Sequence, residues 1–181
     1  MNAFDPFHDR LARDIRNTLS ETLSLHLASQ DLGAIQAVTA NKTSAMKDLT
    51  PVHHAYIEKR LNSYKRCLAI IRRDGITDRF QQALILWDEN LFYEVHEVLE
   101  SLWMQAQGAE RMGLQAIIRA AGVYVHLAQG HLTAARSMAD KAAHGLTAHS
   151  HALPTTINCA ALLAALRRLD PRPPSLLVRN G

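Results

Sequence analysis

Apolar residues spaced three and four positions apart limit the fold of this chain more than any other feature. The clearest run consists of Ile57, Leu61, Tyr64, Leu68 and Ile71. This run predicts one face of a helix over residues 52–73. Only 8 Gly and 6 Pro occur, and aromatic residues make up 6% of the chain, which disfavours a β-sandwich. The sequence therefore predicts an all-α protein, an antiparallel helical bundle of about seven helices.

The same spacing divides the 181 residues into three regions. Residues 1–74 are expected to form an N-terminal helical extension that packs on the core, because their apolar stripes need a partner and no Gly/Ser/Pro-rich linker follows. Residues 75–150 are expected to form the core, with four helices in two hairpins, the last of which ends at Gly145. Residues 151–181 are expected to form a helix over residues 154–168 and an extended, loosely held tail.

Charge gives little support for a nucleic-acid partner. The chain has 20 Lys and Arg against 17 Asp and Glu, so the net charge of +3 produces a weak field. The predicted helix over residues 52–73 carries six basic residues beside its apolar face, with no aromatic residues interleaved. They are Lys59, Arg60, Lys65, Arg66, Arg72 and Arg73. We interpret them as a solvated helix flank rather than a phosphate-binding surface.

Cysteine usage and the N-terminus indicate a cytoplasmic protein. Cys67 and Cys159 lie far apart in apolar helical contexts, which is typical of buried thiols and not of a disulfide or zinc motif. Residues 1–14 are charged and do not resemble a signal peptide. No apolar run approaches the ~20 residues that span a bilayer, so no membrane association is expected.

One acidic segment contains the residues that could carry chemistry. Residues 88–100 include five acids, and no Lys or Arg occurs between Arg79 and Arg111. On a helical wheel, the apolar residues of this segment form one face. A polar stripe lies about 100° round from that face. The stripe consists of His96, Glu100 and Trp103.

The next predicted helix, over residues 111–129, has a matching polar stripe. It consists of Arg111, Gln115, Arg119, Gly122 and His126. An antiparallel hairpin that turns near Gly108 would bring the two stripes face to face at the edge of the core. Glycine in mid-helix costs about 1 kcal/mol relative to alanine, and we attribute Gly122 to the close approach of another helix.

The first interpretation of the two stripes is a structural network. In it, Gln115 or Arg119 holds Glu100, while His96 and His126 are satisfied by side chains or carbonyl groups. Glu100 is then expected to be largely buried and to accept at least one hydrogen bond from the next helix. Substitution of a buried charged partner typically costs roughly 3–5 kcal/mol, so Glu100→Ala should be strongly destabilising. Glu97→Ala, on the expected exposed face, should not be.

Three further interpretations of the stripes stay open. One is a small-ligand or anion pocket that uses Arg111, Arg119 and His126. Another is a metal site of His96, Glu100 and His126. The third is a hydrolytic or acid–base enzyme, although no catalytic residue and no cofactor is assigned. The full candidate ligand-binding set is His96, Glu100, Trp103, Arg111, Gln115, Arg119 and His126.

The residues of the acidic segment also resemble a known signature. Residues 87–103 read WDENLFYEVHEVLESLW, in which His96 is followed four positions later by Glu100 and then, after three more, by Trp103. A Gly-x-Leu-x-x-Ala segment follows at Gly130. This arrangement resembles domain-of-unknown-function family 309 (DUF309), over about residues 80–142. The resemblance implies a small, all-helical bundle in a family without an established activity.

Three residues depart from the pattern of that family. Ala116 stands where the family usually has Gly, which is expected to relax a helix contact slightly. Arg119 stands where Gln is common and would suit an ion pair with Glu100. His131 replaces the usual Asn.

These observations favour a non-catalytic interaction or scaffold module with a buried His/Glu/Trp polar network. The alternative is a small-ligand or metal-binding protein, with enzymatic activity left open. A homodimer is expected as well, because one long N-terminal stripe could pair with a second copy. That stripe consists of Leu11, Ile15, Leu19 and Leu23.

Overall fold

The computed structural model describes residues 4–178, and helices make up almost all of their regular structure. The helices are α1 (Arg10–His26), α2 (Leu32–Ser44), α3 (Pro51–Arg73), α4 (Arg79–Asp88), α5 (Phe92–Gln105), α6 (Gly108–Ala128), α7 (Leu132–His149) and α8 (Cys159–Arg168). A 3₁₀ turn at Ser150–Ala152 follows α7. The prediction of an all-α bundle is confirmed, with eight α-helices in the described residues rather than about seven.

The helices form two compact units, which divide between Ile76 and Thr77. The first unit contains α1, α2 and α3, and each of these helices packs against the other two. The second unit contains α4 to α8, in which each helix from α4 to α7 packs against the next one along the chain. Within residues 4–178, no helix combines the length and apolar composition needed to cross a bilayer. The expected packing of residues 1–74 on residues 75–150 stays a prediction.

Asp9 joins the beginnings of two helices in the first unit. Its carboxylate caps α1 by accepting hydrogen bonds from the backbone N–H groups of Leu11 at 2.8 Å and Ala12 at 3.3 Å. Oδ2 of Asp9 also lies 3.1 Å from Nε2 of His53, a buried residue in the first turn of α3. Burial raises the pKa of Asp9, but the hydrogen bonds from Ala12 and His53 outweigh it and hold the pKa below its ordinary value.

The apolar stripe of α1 lies inside the chain. Ile15, Leu19 and Leu23 are fully buried, and Leu11 is half-buried. Because these residues are buried, the stripe does not offer a broad apolar surface to which a second copy of the chain could bind. The homodimer therefore stays a prediction, now without support from this stripe.

Short connections set the directions of the helices in the second unit. Three residues join α4 to α5, two join α5 to α6 and three join α6 to α7, so consecutive helices run antiparallel. Asn90 ends α4 in the left-handed conformation, with φ at 59°. The N–H of Leu91 then donates to the carbonyl oxygen of Leu86 at 3.0 Å and closes the helix end. The four helices predicted in this region are present.

Two glycines allow α6 and α7 to approach each other closely. A Cβ added at Gly145 would lie 2.8 Å from the Cβ of Ala116 on α6. A Cβ added at Gly122 would lie 2.5 Å from Sδ of Met138 on α7, which confirms the expected close approach of another helix. The prediction that Gly145 ends α7 is wrong, because its missing side chain serves this contact and α7 continues to His149.

The end of α4 holds the C-terminal residues. Nε1 of Trp87 donates a hydrogen bond to the carbonyl oxygen of Pro174 at 2.9 Å. Asp88 accepts hydrogen bonds from the Ser175 hydroxyl at 2.8 Å and from the Leu176 N–H at 3.0 Å. Leu176 is fully buried. The expectation of a loosely held tail is therefore wrong for its described part.

The C-terminal tail also determines the residue at which α8 begins. Leu177 forms an isolated antiparallel bridge with Ile157, and the N–H of Asn158 donates to the carbonyl oxygen of Leu176 at 2.8 Å. The helix begins only at Cys159. Its predicted beginning at residue 154 is wrong, because the intervening residues form a turn and this bridge. The last predicted tail residues, 179–181, lie outside the described residues.

An aromatic cluster fills the space between α4, α5 and α6. The ring centre of Trp87 lies 5.1 Å from that of Phe92 and 5.4 Å from that of Tyr124, in both cases edge to face. Tyr124 is 3% exposed, and no described residue bonds its hydroxyl group. Burial, and then the negative charge of Asp170, raise the pKa of Tyr124 to about 12, although Arg168 lowers it in part.

The buried hydroxyl of Tyr124 leads to a prediction for Tyr124→Phe. The pKa of about 12 in the folded chain exceeds the ordinary value of 10.0, so the unfolded chain loses this proton first. Stability is therefore fully present below pH 10 and falls by roughly 2–3 kcal/mol as the pH rises towards the folded pKa. Denaturant unfolding of Tyr124→Phe should show near-normal stability at neutral pH and a smaller alkaline loss. A large loss at neutral pH would contradict the unpaired hydroxyl.

Candidate functional site

Helix α5 buries one broad side and leaves the other side open. Its buried residues are Phe92, Glu94, Val95, Val98 and Leu99. The last four follow the i, i+1, i+4, i+5 pattern of a single helical face. This helix packs against α4 and α6, and its polar residues are distributed round the remaining surface.

Three polar side chains cluster on that remaining surface, and we call His96, Glu97 and Glu100 the outer face of α5. Nδ1 of His96 lies 3.7 Å from Oε1 of Glu97 and 3.9 Å from Oε2 of Glu100. The side chains of His96, Glu97 and Glu100 are 44%, 35% and 46% exposed. Potential ligand atoms of the three residues all lie within 4.8 Å of one another. The outer face is therefore acidic, half-exposed and open to solvent.

Glu100 is not the buried acid that the sequence predicts. In the described part of the chain, Glu100 has no hydrogen bond or ion pair with Gln115 or Arg119 of α6. On a helical wheel, Phe92 and Glu94 mark the two edges of the buried side of α5. At about 100° per residue, Glu100 lies nearly opposite the centre of that side. The prediction of a buried His/Glu/Trp network is thus wrong for its histidine and its glutamate.

Trp103 is the residue of the α5 stripe that meets α6. The guanidinium carbon of Arg111 lies 3.9 Å from the centre of the Trp103 ring, which is a cation–π contact. The predicted alignment of Trp103 with Arg111 is therefore confirmed. Nε1 of Trp103 is buried, and no described residue accepts its hydrogen bond. Gln115 and Arg119 are half-buried farther along α6.

His126 does not belong to the cluster on the outer face of α5. Its ring centre lies 5.7 Å from that of His131, at the turn between α6 and α7. Burial lowers the pKa of His126, and the neighbouring His131 lowers it further. The sequence predicts His126 as the third member of a metal site with His96 and Glu100. In the structure, the residue whose ligand atoms lie close to both of them is Glu97.

Glu94 is a buried acid that sequence reasoning missed. Its side chain is 1% exposed and lies in the first turn of α5. The available signal was its position one turn before Val98, which places both residues on the buried face. Trp87 and Asp88 are likewise structural, because they hold the C-terminal residues.

Comparison with known proteins assigns a family to the segment that contains this site. A family model described as Domain of unknown function (DUF309) matches residues 80–138, about a third of the chain. This match confirms the resemblance of residues 80–138 to DUF309. All seven candidate residues, from His96 to His126, lie within the match. A search of curated proteins and a search of solved structures found no match to this chain.

Two departures from the DUF309 pattern can be placed in the structure. Ala116 is buried, and its methyl group occupies space that Gly145 leaves open. The sequence predicts a slight loss of helix contact at Ala116. In the structure, a glycine on the neighbouring helix leaves room for the methyl group of Ala116, which offsets that loss. The ion pair expected between Arg119 and Glu100 is absent from the described residues, so that expectation is wrong.

The three acids of α5 differ in burial, and this difference leads to a prediction for their alanine variants. Glu94→Ala should lower the free energy of unfolding by about 1–3 kcal/mol, because truncation of a buried side chain leaves a cavity. Glu97→Ala and Glu100→Ala should each change it by less than about 0.5 kcal/mol. Urea unfolding monitored by circular dichroism measures all three. A larger loss for Glu100→Ala than for Glu94→Ala would contradict the placement of these residues.

Proposed function

We propose that residues 80–138 form a non-catalytic binding module for cationic ligands, with the outer face of α5 as its contact surface. The observation that carries this proposal is the half-exposure of His96 and Glu100. Reacting groups of enzymes generally lie in clefts that exclude water. The side chains of His96 and Glu100 are instead accessible from solvent, where a ligand or partner can reach them directly.

The charge of this segment supports a cationic ligand. Six Asp and Glu residues and no Lys or Arg lie between Arg79 and Arg111. Among the described residues, neither Glu97 nor Glu100 forms an ion pair with Lys or Arg. Like charges on one helical face repel each other. A bound cation would relieve that repulsion, whereas an anion would increase it.

The other interpretations receive less support. A small-ligand or anion pocket needs the guanidinium group of Arg111, which instead lies over the ring of Trp103. His126, another group of that pocket, lies beside His131 instead. A cytoplasmic location and a homodimer stay proposals that rest on the sequence alone.

Titration with a hexa-arginine peptide tests the binding module. In ¹⁵N-labelled full-length protein, we expect the largest amide shifts at His96, Glu97 and Glu100, because the two glutamates of this face have no Lys or Arg partner among the described residues. The combined variant Glu97→Gln/Glu100→Gln should lose most of the affinity and keep its fold, since both side chains are partly exposed. A matched control is Asp140→Asn, an exposed acid on α7.

Two results of this titration would contradict the proposal. One is an absence of binding at low salt, where electrostatic attraction is least screened. The other is a set of shifts spread equally over Asp140 and the remaining exposed acids, with the same affinity in the combined variant.

A further inference from the structure

We propose that residues 174–178, which we call the tail segment, dock on a second copy of this chain, so that two copies exchange their segments and form a dimer. The groove that receives the segment is formed by Trp87 and Asp88 at the end of α4 and by residues 156–158. In a single chain, this groove holds the chain's own tail segment. The contact differs from the predicted pairing of α1 stripes and is independent of the outer face of α5.

Two side chains at the end of α4 bind the tail segment. Nε1 of Trp87 donates to the carbonyl oxygen of Pro174 at 2.9 Å. Asp88 accepts hydrogen bonds from the Leu176 N–H at 3.0 Å and from the Ser175 hydroxyl at 2.8 Å. Two of these three bonds involve backbone groups of the segment, which any extended chain presents.

Residues 156–158 supply the rest of the groove and pair with the tail segment as a short antiparallel ladder. The N–H of Asn158 donates to the carbonyl oxygen of Leu176, and the N–H of Val178 donates to that of Thr156, each at 2.8 Å. The side chain of Leu176 is fully buried. The segment therefore docks as an added strand with one apolar anchor, a mode by which proteins bind extended segments of other chains.

Few side chains hold the tail segment, so it can leave the groove while the helices stay folded. Of its residues, only Leu176 is buried, while Ser175 and Val178 are exposed. Segments with few buried apolar contacts open locally at a lower cost than the core does. An opened segment is then available to the groove of a second copy.

The turn that leads from α8 to the tail segment is strained, and this strain favours exchange. Leu169 ends α8 with φ at 51°, in the left-handed conformation. Glycine is the usual residue at such a position, because a side chain disfavours that conformation. When the segment docks on a second copy, the chain leaves α8 in another direction and this turn is not required. Strained hinges of this kind favour the exchange of terminal segments.

Prolines in the same connection favour an extended path between two copies. Pro171, Pro173 and Pro174 fix their own φ angles, and each disfavours a helical conformation in the residue before it. Proline-rich connections act as semi-rigid spacers. Because each copy gives one segment and receives one, the exchange closes a two-fold dimer whose contacts are those seen within the single chain.

Light scattering after size-exclusion chromatography tests the exchange on the full-length protein. We expect a dimer whose fraction rises with protein concentration. Leu169→Gly and Leu169→Asn relieve the strained turn and should each weaken dimerisation by roughly 10-fold or more, because both turns of the dimer are affected. A matched control is Gln30→Gly, which relieves a left-handed residue with φ at 53° far from the tail segment in sequence. Its dimerisation should equal that of the unmodified protein.

A synthetic peptide of residues 170–178 tests docking between separate molecules. Leu176→Asp places a charge at the buried position and should release the tail segment of the full-length chain, which empties the groove. Circular dichroism verifies the fold of this variant. The unmodified peptide should then shift the indole N–H signal of Trp87 and the amide signals of residues 156–158. A peptide that carries Leu176→Asp should not.

Three results would overturn the exchange. One is a monomer at every concentration. Another is a dimer that Leu169→Gly and Leu169→Asn leave as stable as before, because the strained turn would then play no part. The third is an absence of shifts at Trp87 when the unmodified peptide is added to Leu176→Asp.

Discussion

The close approach of α6 and α7 is the contact on which the second unit depends. Ala116 and Gly145 meet where a second methyl group would not fit. Both helices also bury small side chains, which are Ala120 and Ala121 on α6 and Ala135, Ala139 and Ala142 on α7. Small residues bring two helices within van der Waals range along their length, and the many weak contacts that result add up to substantial stabilisation. Helix α6 is thereby held in place as the support for α5.

This arrangement explains why the polar residues of α5 are accessible. Its apolar side is occupied by packing against α4 and α6, so Val95, Val98 and Leu99 fix the helix. The opposite side carries His96 and Glu100, whose side chains are 44% and 46% exposed. A rigid helix with an exposed acidic face is suited to binding a cation, and this is the physical basis of the function we propose for the DUF309 segment.

The local spacing of apolar residues is sufficient to predict the helices, but it does not predict contacts between residues that are distant in sequence. The apolar periodicity locates the helices of the second unit, because this signal lies within each helix. The sequence predicts a helix end at Gly145, since no residue near it in sequence indicates its contact with Ala116. Asp88 holds residues almost ninety positions away. The error at Glu100 has another cause: the helical wheel groups it with Trp103 in one stripe, although at about 100° per residue Glu100 lies nearly opposite the centre of the apolar face.

A double-mutant cycle at Ala116 and Gly145 tests the packing of α6 on α7 most directly. Gly145→Ala should lower the free energy of unfolding by about 1–3 kcal/mol through overpacking, although alanine is the better helix former. This cost should shrink in the Ala116→Gly background, where the opposing methyl group is gone. Gly122→Ala should cost less than Gly145→Ala, because the flexible side chain of Met138 can move aside. An equal cost of Gly145→Ala in both backgrounds, or no cost in either, would contradict the account.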